Sequence, residues 1–275
     1  MLKTRVITAI CLLAGLLPAL FYLPPIGWAW CIAGVAAIAG WEWGGFMRLA
    51  SLARIALGAT FGSLSVAAIL LVPAALGGEG WSLAVAWDFG RWLYLPATFF
   101  WFCILPFWLW RRWPMPGLLG GLLTGLVVLL PALLAVVQLR QLGALALLGL
   151  MAIVWVADIT AYFAGRAFGK RKLAPSISPG KTWAGAYGAV AGVVAYGLAA
   201  SAVVALPGPA ILIPMLILLT ALSIVGDLFE SLLKRQADIK DSSNVLPGHG
   251  GVLDRIDSLT STLPLIALGW LLGGL

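Results

Sequence analysis

Nine runs of mainly apolar residues divide this chain, near 6–23, 26–47, 55–76, 91–110, 117–138, 142–165, 183–205, 209–232 and 253–274. About twenty such residues, wound as a helix, cross roughly 30 Å of hydrocarbon. Inside a bilayer every backbone N–H and C=O must find its partner within the protein, which leaves helices or closed barrels. None of the runs alternates apolar and polar residues as a barrel strand would, so the sequence predicts an all-α, polytopic membrane domain with about nine transmembrane helices. The last run is the least typical, because Asp254, Arg255 and Asp257 stand at its start. The composition agrees: 62% of the 275 residues are hydrophobic and 10% charged, against about 25% charged in a soluble domain.

The basic residues orient the bundle. With nine spans, fifteen Lys and Arg fall in the N-terminus and every second link, and only Arg91 and Arg140 fall on the other side. Cytoplasmic links carry the excess of Lys and Arg. The N-terminus and the basic links are therefore expected in the cytoplasm, and the setting expected is a bacterial inner membrane. The net charge of +7 is read as topology or as a match to anionic lipid and phosphate, with no nucleic acid as partner. Lys3 and Arg5 before the first run imitate a signal peptide, but the run passes through Pro24 and Pro25 into the next, and it is read as an uncleaved span. Cys11, Cys31 and Cys103 lie in separate apolar runs, where cysteine acts as a small hydrophobe.

The two halves differ. Residues 1–150 read as packing helices, with Gly40/Gly44 and Gly117/Gly121/Gly125 at the spacing of close helix contacts. Such faces leave a homodimer open. Residues 151–275 carry the unusual polar groups and are the expected catalytic half.

Asp227, Glu230, Ser231 and Lys234 recur at i, i+3, i+4 and i+7, one face of a helix. An acid as deep in a span as Asp227 usually faces a cavity or a partner helix. Asp254, Asp257 and Ser258 form a second such face, with an N-terminal cap as the other reading of Asp254. Between the faces runs a polar loop holding Lys240, the lone His249, Gly250 and Gly251. Its glycines would let backbone N–H groups approach an anion. His249 is either a phosphate contact or a loop organiser. Upstream, Asp158, Tyr162 and Arg166 form a third face, followed by Lys170, Arg171, Lys172, Ser178 and Lys181. Carboxylates can share Mg²⁺ with substrate phosphates, while Lys and Arg balance phosphate oxygens. Nucleotidyl transfer needs little beyond such a metal, a clamp and alignment. The "GKT" of Gly180–Thr182 does not make a P-loop. Pro175 stands where that motif needs glycine, and no strand is expected before it.

These residues resemble the phosphatidate cytidylyltransferase family. Ser231, Lys234-Arg235, Lys240-Asp241, Pro247, His249-Gly250-Gly251, Asp254-Arg255 and Asp257 stand at that family's signature spacings. Ser178-Pro179-Gly180-Lys181-Thr182-Trp183 and Gly226-Asp227 match two further elements, and the resemblance is close over about residues 155–260. Ala184 departs from it, since many members carry Glu there. The resemblance implies CTP and phosphatidate as substrates, CDP-diacylglycerol and pyrophosphate as products, and Mg²⁺, one or two ions, as cofactor. On that basis Asp227 and Asp254 are expected to hold metal, with Asp257 and Asp158 as further candidates. Lys181, Lys234, Arg235, Arg255, Lys240 and Ser178 are expected to meet phosphates, and His249, Gly250 and Gly251 to shape the phosphate loop. A CTP-using lipid kinase and a cation-coupled transporter are the rival readings. The first would release CDP, and the second would turn over no CTP.

Overall fold

The computed structural model describes residues 2–78 and 83–273. In chain order the helices are α1 (Leu2–Tyr22), α2 (Pro25–Phe46), α3 (Ser51–Leu71), the short α4 (Leu83–Asp88), α5 (Arg91–Phe99) and α6 (Leu105–Arg111). They are followed by α7 (Gly117–Arg140), α8 (Ala144–Phe168), α9 (Trp183–Ser201), α10 (Pro209–Gln236) and α11 (Leu253–Gly273). Gly274, the last residue of the expected final span, lies outside the described residues.

The polytopic all-α architecture is as the sequence predicts. Among the described residues, eight helices are long and apolar enough to cross a membrane, with Arg91–Arg111 counted as one. α2 has the length, but its four tryptophans and Glu42 lower its hydropathy. It packs along α3 and α7 nonetheless. The span expected over 55–76 ends at Leu71. Pro73 cannot continue the helix, and a single 3₁₀ turn, Pro73–Leu76, takes its place. Between α5 and α6 the ladder loosens into a π turn, Phe100–Ile104. Pro106, lacking an N–H, leaves a carbonyl one turn earlier without its usual donor, and the π turn absorbs the mismatch.

A two-stranded antiparallel hairpin departs from the all-helical reading. β1 (Lys172–Ala174) pairs with β2 (Ser178–Thr182), with Ala174 opposite Ser178 and Lys172 opposite Thr182. "GKT" lies inside β2, and Thr182 then caps α9 by accepting the Gly185 N–H at 3.1 Å.

The links sort to two ends. At one end Thr8 Oγ1 donates to the Pro247 carbonyl (2.7 Å), Arg48 pairs with Asp238, and Gln236 Nε2 donates to the Trp113 carbonyl (2.8 Å). At the other, Arg140 Nε donates to the Leu20 carbonyl (2.9 Å) and Trp87 Nε1 to Gln141 Oε1 (3.1 Å). The basic links thus meet at a single end of the bundle.

Lipid is as apolar as the helices, so close packing and hydrogen bonds must hold the bundle together. Gly121 lies on Met47, Gly125 on Trp43 and Gly40 on Phe61, as small-residue spacing predicts. Gly117 is different: it turns the chain into α7 at φ +57° and a Cβ there would touch nothing. Ser258 Oγ and Ser261 Oγ donate to the Ser223 and Leu222 carbonyls (3.0 and 2.8 Å), tying α11 to α10. Phe229 is buried among Trp43, Phe100, Trp101 and Trp108. That aromatic nest anchors the apolar side of α10.

Candidate active site

Close approach of α10 and α11 starts at Gly226. A Cβ there would lie 2.5 Å from Ser261 Oγ and 2.9 Å from the Asp257 carbonyl. The next residue is Asp227. Its Oδ2 pairs with Lys181 Nζ from β2, and its Oδ1 accepts from Ser231 Oγ at 3.1 Å. The hairpin therefore swings Lys181 over α10, a contact between segments some 46 residues apart in sequence.

Asp158 reaches the same place from α8, within electrostatic reach of Asp227, Lys181 and Arg255. Asp257 of α11 in turn feels both Asp227 and Asp158. A cleft of about 460 Å³ opens beside them. Asp158, Tyr162, Arg166, Lys172, Lys181 and Asp227 line it. The Asp158/Tyr162/Arg166 face is directed into this cleft as its spacing predicts, with Arg166 donating to the Tyr162 hydroxyl at 3.1 Å.

One turn along α10, Glu230 is buried, and no N–H or hydroxyl group donates to either of its carboxylate oxygens. Its nearest cation is Lys234 Nζ, 3.5 Å away. Asp257 faces Glu230, and the two share the wall of a small cavity of about 20 Å³.

Asp254 is arranged otherwise. Lys234 Nζ donates to its Oδ1 at 2.6 Å. Its Oδ2 accepts from the Ser242 N–H, the Ser242 hydroxyl and the Gly251 N–H, each at 2.8 Å. The backbone N–H groups of the glycine loop do face anions, and in this structure the anions are carboxylates of the chain itself. Gly250 needs φ +83°, and a Cβ on it would meet Asp254 Oδ2 at 2.6 Å.

Of the other residues expected in the site, Arg235 and Lys240 are exposed and form no ion pair among the described residues. Arg255 is exposed at the start of α11. Ser178 opens β2 but does not line the cleft. His249 closes a turn through its N–H to the Leu246 carbonyl (2.8 Å), and its Nδ1 is buried without a partner.

Sequence reasoning misses Glu42. It is fully buried in α2, in the half expected only to pack. It accepts from Ser243 Oγ (2.6 Å), Leu253 N–H (2.7 Å), Val252 N–H (2.9 Å) and Ser242 Oγ (3.2 Å). The signal was present: a carboxylate inside an apolar span is a functional candidate by default.

Carboxylates from three helices, gathered with lysines at the basic end of a membrane bundle, define a class of protein. It is a membrane enzyme built for phosphate chemistry at the bilayer surface. The sequence profile of the Cytidylyltransferase family matches residues 3–271. The chain is 43% identical to the phosphatidate cytidylyltransferase of Pseudomonas aeruginosa, over 99% of this chain and 98% of that protein. It is 37% identical to the enzyme of the same name from Haemophilus influenzae, over 97% of this chain and 98% of that protein. A shorter match to the Bacillus subtilis protein of that name reaches 44% identity, over 42% of this chain and 43% of that one. The chain belongs to the cytidylyltransferase family, and it is a nucleotidyltransferase.

Proposed function

We propose that this enzyme transfers the cytidylyl group of CTP to phosphatidate, giving CDP-diacylglycerol and pyrophosphate. Two nearly full-length relatives bear the name of that activity. The observation that carries the reading is Asp158 and Asp227 lining a cleft with Lys172, Lys181 and Arg166, with Asp257 within electrostatic reach of both acids. A phosphate oxygen of phosphatidate attacks the α-phosphorus of CTP, and the bond to the β-phosphate oxygen breaks. The nucleophile is already anionic, so no strong general base is needed. The basic end of the bundle is assigned to the cytoplasmic face of a bacterial inner membrane, by the positive-inside rule.

The carboxylates suit a hard divalent cation in kind. All donors are oxygens, Asp158, Asp227 and Asp257 lie within each other's field, and the buried Glu230 carboxyl takes no N–H or hydroxyl donor and faces Asp257. As the side chains stand, no three acidic, His or Cys groups among the described residues enclose a common point. Mg²⁺ bound here would supply charge neutralisation and alignment of phosphate oxygens. We assign Asp227 and Asp257 to hold it, with Asp158 beside them. Asp254 is left to order the loop, because it takes Lys234 on one oxygen and three loop donors on the other, whereas Asp227 takes a single donor on each.

The chain's own residues divide the remaining work. Lys181, paired with Asp227 in this structure, is assigned to exchange that carboxylate for an arriving phosphate. Ser231 steadies the other Asp227 oxygen. Lys172 and Arg166 extend positive charge along the cleft. The test is purified protein in detergent with CTP labelled in the cytidine ring, phosphatidate and Mg²⁺. Labelled CDP-lipid with equimolar pyrophosphate is the expected result. Free labelled CDP, with a phosphate moved to the lipid, would make the enzyme a kinase instead.

A further inference from the structure

We infer that Glu42 is a positioning residue for the catalytic helix α11, an inference that rests on the reaction proposed above. Glu42 sits in the last turn of α2, where the helix's own dipole disfavours a negative charge. The charge is matched elsewhere. Val252 and Leu253 present N–H groups at the start of α11, donors that an α-helix leaves without internal partners. A carboxylate at a helix N-terminus satisfies both the donors and the dipole. Glu42 therefore caps a helix more than two hundred residues away in sequence.

The loop is shaped around this carboxylate at two further positions. Ser243 Oγ donates to Glu42 Oε1 at 2.6 Å, and the same oxygen of Ser243 accepts the Val245 N–H at 3.1 Å. Gly251 has no room for a side chain, since a Cβ would lie 2.3 Å from Glu42 Oε1 and 2.1 Å from Ser242 Oγ. Ser242 Oγ stands between the two acids, 3.2 Å from Glu42 Oε2 and 2.8 Å from Asp254 Oδ2. A hydroxyl has a single proton, so it serves one of them at a time.

The consequence reaches the reacting groups through α11. Asp254 directly follows the capped residue Leu253, and Asp257 lies one turn on. Glu42 thus sets where α11 begins, and that start sets how Asp254 meets Lys234 and how Asp257 meets the Asp227 cluster. It touches neither the cleft lining nor, on this geometry, either substrate.

The experiment compares wild type with Glu42→Gln and Glu42→Asp in detergent, reading kcat, both KM values and amide hydrogen exchange. Glu42→Gln keeps the volume but puts an NH2 against donors. We expect kcat to fall about 10–100-fold, the range seen when groups orienting a site are lost, with each KM within about threefold. Glu42→Asp should recover part of kcat. Exchange should quicken over 242–253 and stay slow in α2 and α3. A Glu42→Gln enzyme with kcat within about threefold of wild type overturns the inference, and so does faster exchange spread evenly over the bundle. Should Glu42→Gln fail to fold, Ser243→Ala removes the 2.6 Å bond to Glu42 and the turn bond from the Val245 N–H while keeping the carboxylate, and a smaller drop in kcat with the same local exchange is then required. Loop exchange is read without turnover, so a failure of the proposed reaction in wild type is distinguishable from a failure of this inference.

Discussion

Two groups of carboxylates lie within a few turns of each other, and they are treated in opposite ways. Around Asp254 and Glu42 every oxygen has a donor: a lysine, two serines and the N–H groups of Ser242, Gly251, Val252 and Leu253. Around Asp227, Asp257, Glu230 and Asp158 the acids mainly face one another. Lys181 and Ser231 serve Asp227, the Ser258 N–H serves Asp257 at 2.7 Å, and Glu230 accepts no hydrogen bond. A buried carboxylate left without donors is costly. A chain keeps such a group where something else completes it. On the proposed function, the satisfied group is assigned to architecture, and the less satisfied group to a cation and phosphates.

The contrast can be broken most sharply at Asp227. Asp227→Asn removes charge from the open group while keeping its shape, and we expect turnover to fall by roughly 10²–10³-fold, the scale of losing an electrostatic stabiliser. Labelled CDP-lipid formation measures it, and activity within tenfold of wild type would move the chemistry away from this cluster.

Lys234 tests the satisfied group. Lys234→Met strands Asp254 Oδ1 and leaves Glu230 without its nearest cation. Removing one partner of a buried pair costs about 3–5 kcal/mol. Thermal unfolding in detergent should therefore show a clear loss of stability, and an unchanged midpoint would mean that Asp254 is held by the loop alone.

The smallest effect belongs to an ion pair outside both groups. Arg48 and Asp238 join the α2–α3 link to the end of α10, with side chains 58% and 82% exposed. Water screens such a pair, and Arg48→Ala should cost less than about 1 kcal/mol and leave turnover near wild type. A large loss would show that the basic end is braced from its rim.

Much of the site was legible because helical periodicity is a local property. The face carrying Asp227, Glu230, Ser231 and Lys234 could be read from spacing alone, and so could Asp158, Tyr162 and Arg166. The hairpin could not. Its strands are three and five residues long, too short for alternation to register, and they matter because they deliver Lys181 to Asp227. Glu42, an acid inside an apolar run, signalled that it mattered but not what it meets. Its partners are some two hundred residues away, and no local pattern announces a long-range cap. The glycine loop was read as a phosphate cradle because glycine spacing reports that N–H groups meet an anion, without saying whose.

Sequence by itself determined the membrane bundle, the end of it that gathers positive charge, and the family to which the chain belongs. Hydropathy, helical period and residue spacing are summed along the chain, and no folding is needed to read them. Only the tertiary structure decided which acid meets which base: Lys181 with Asp227, Lys234 with Asp254, and Glu42 with the start of α11. Such pairings depend on helices from both halves approaching within hydrogen-bond distance, and packing sets that approach.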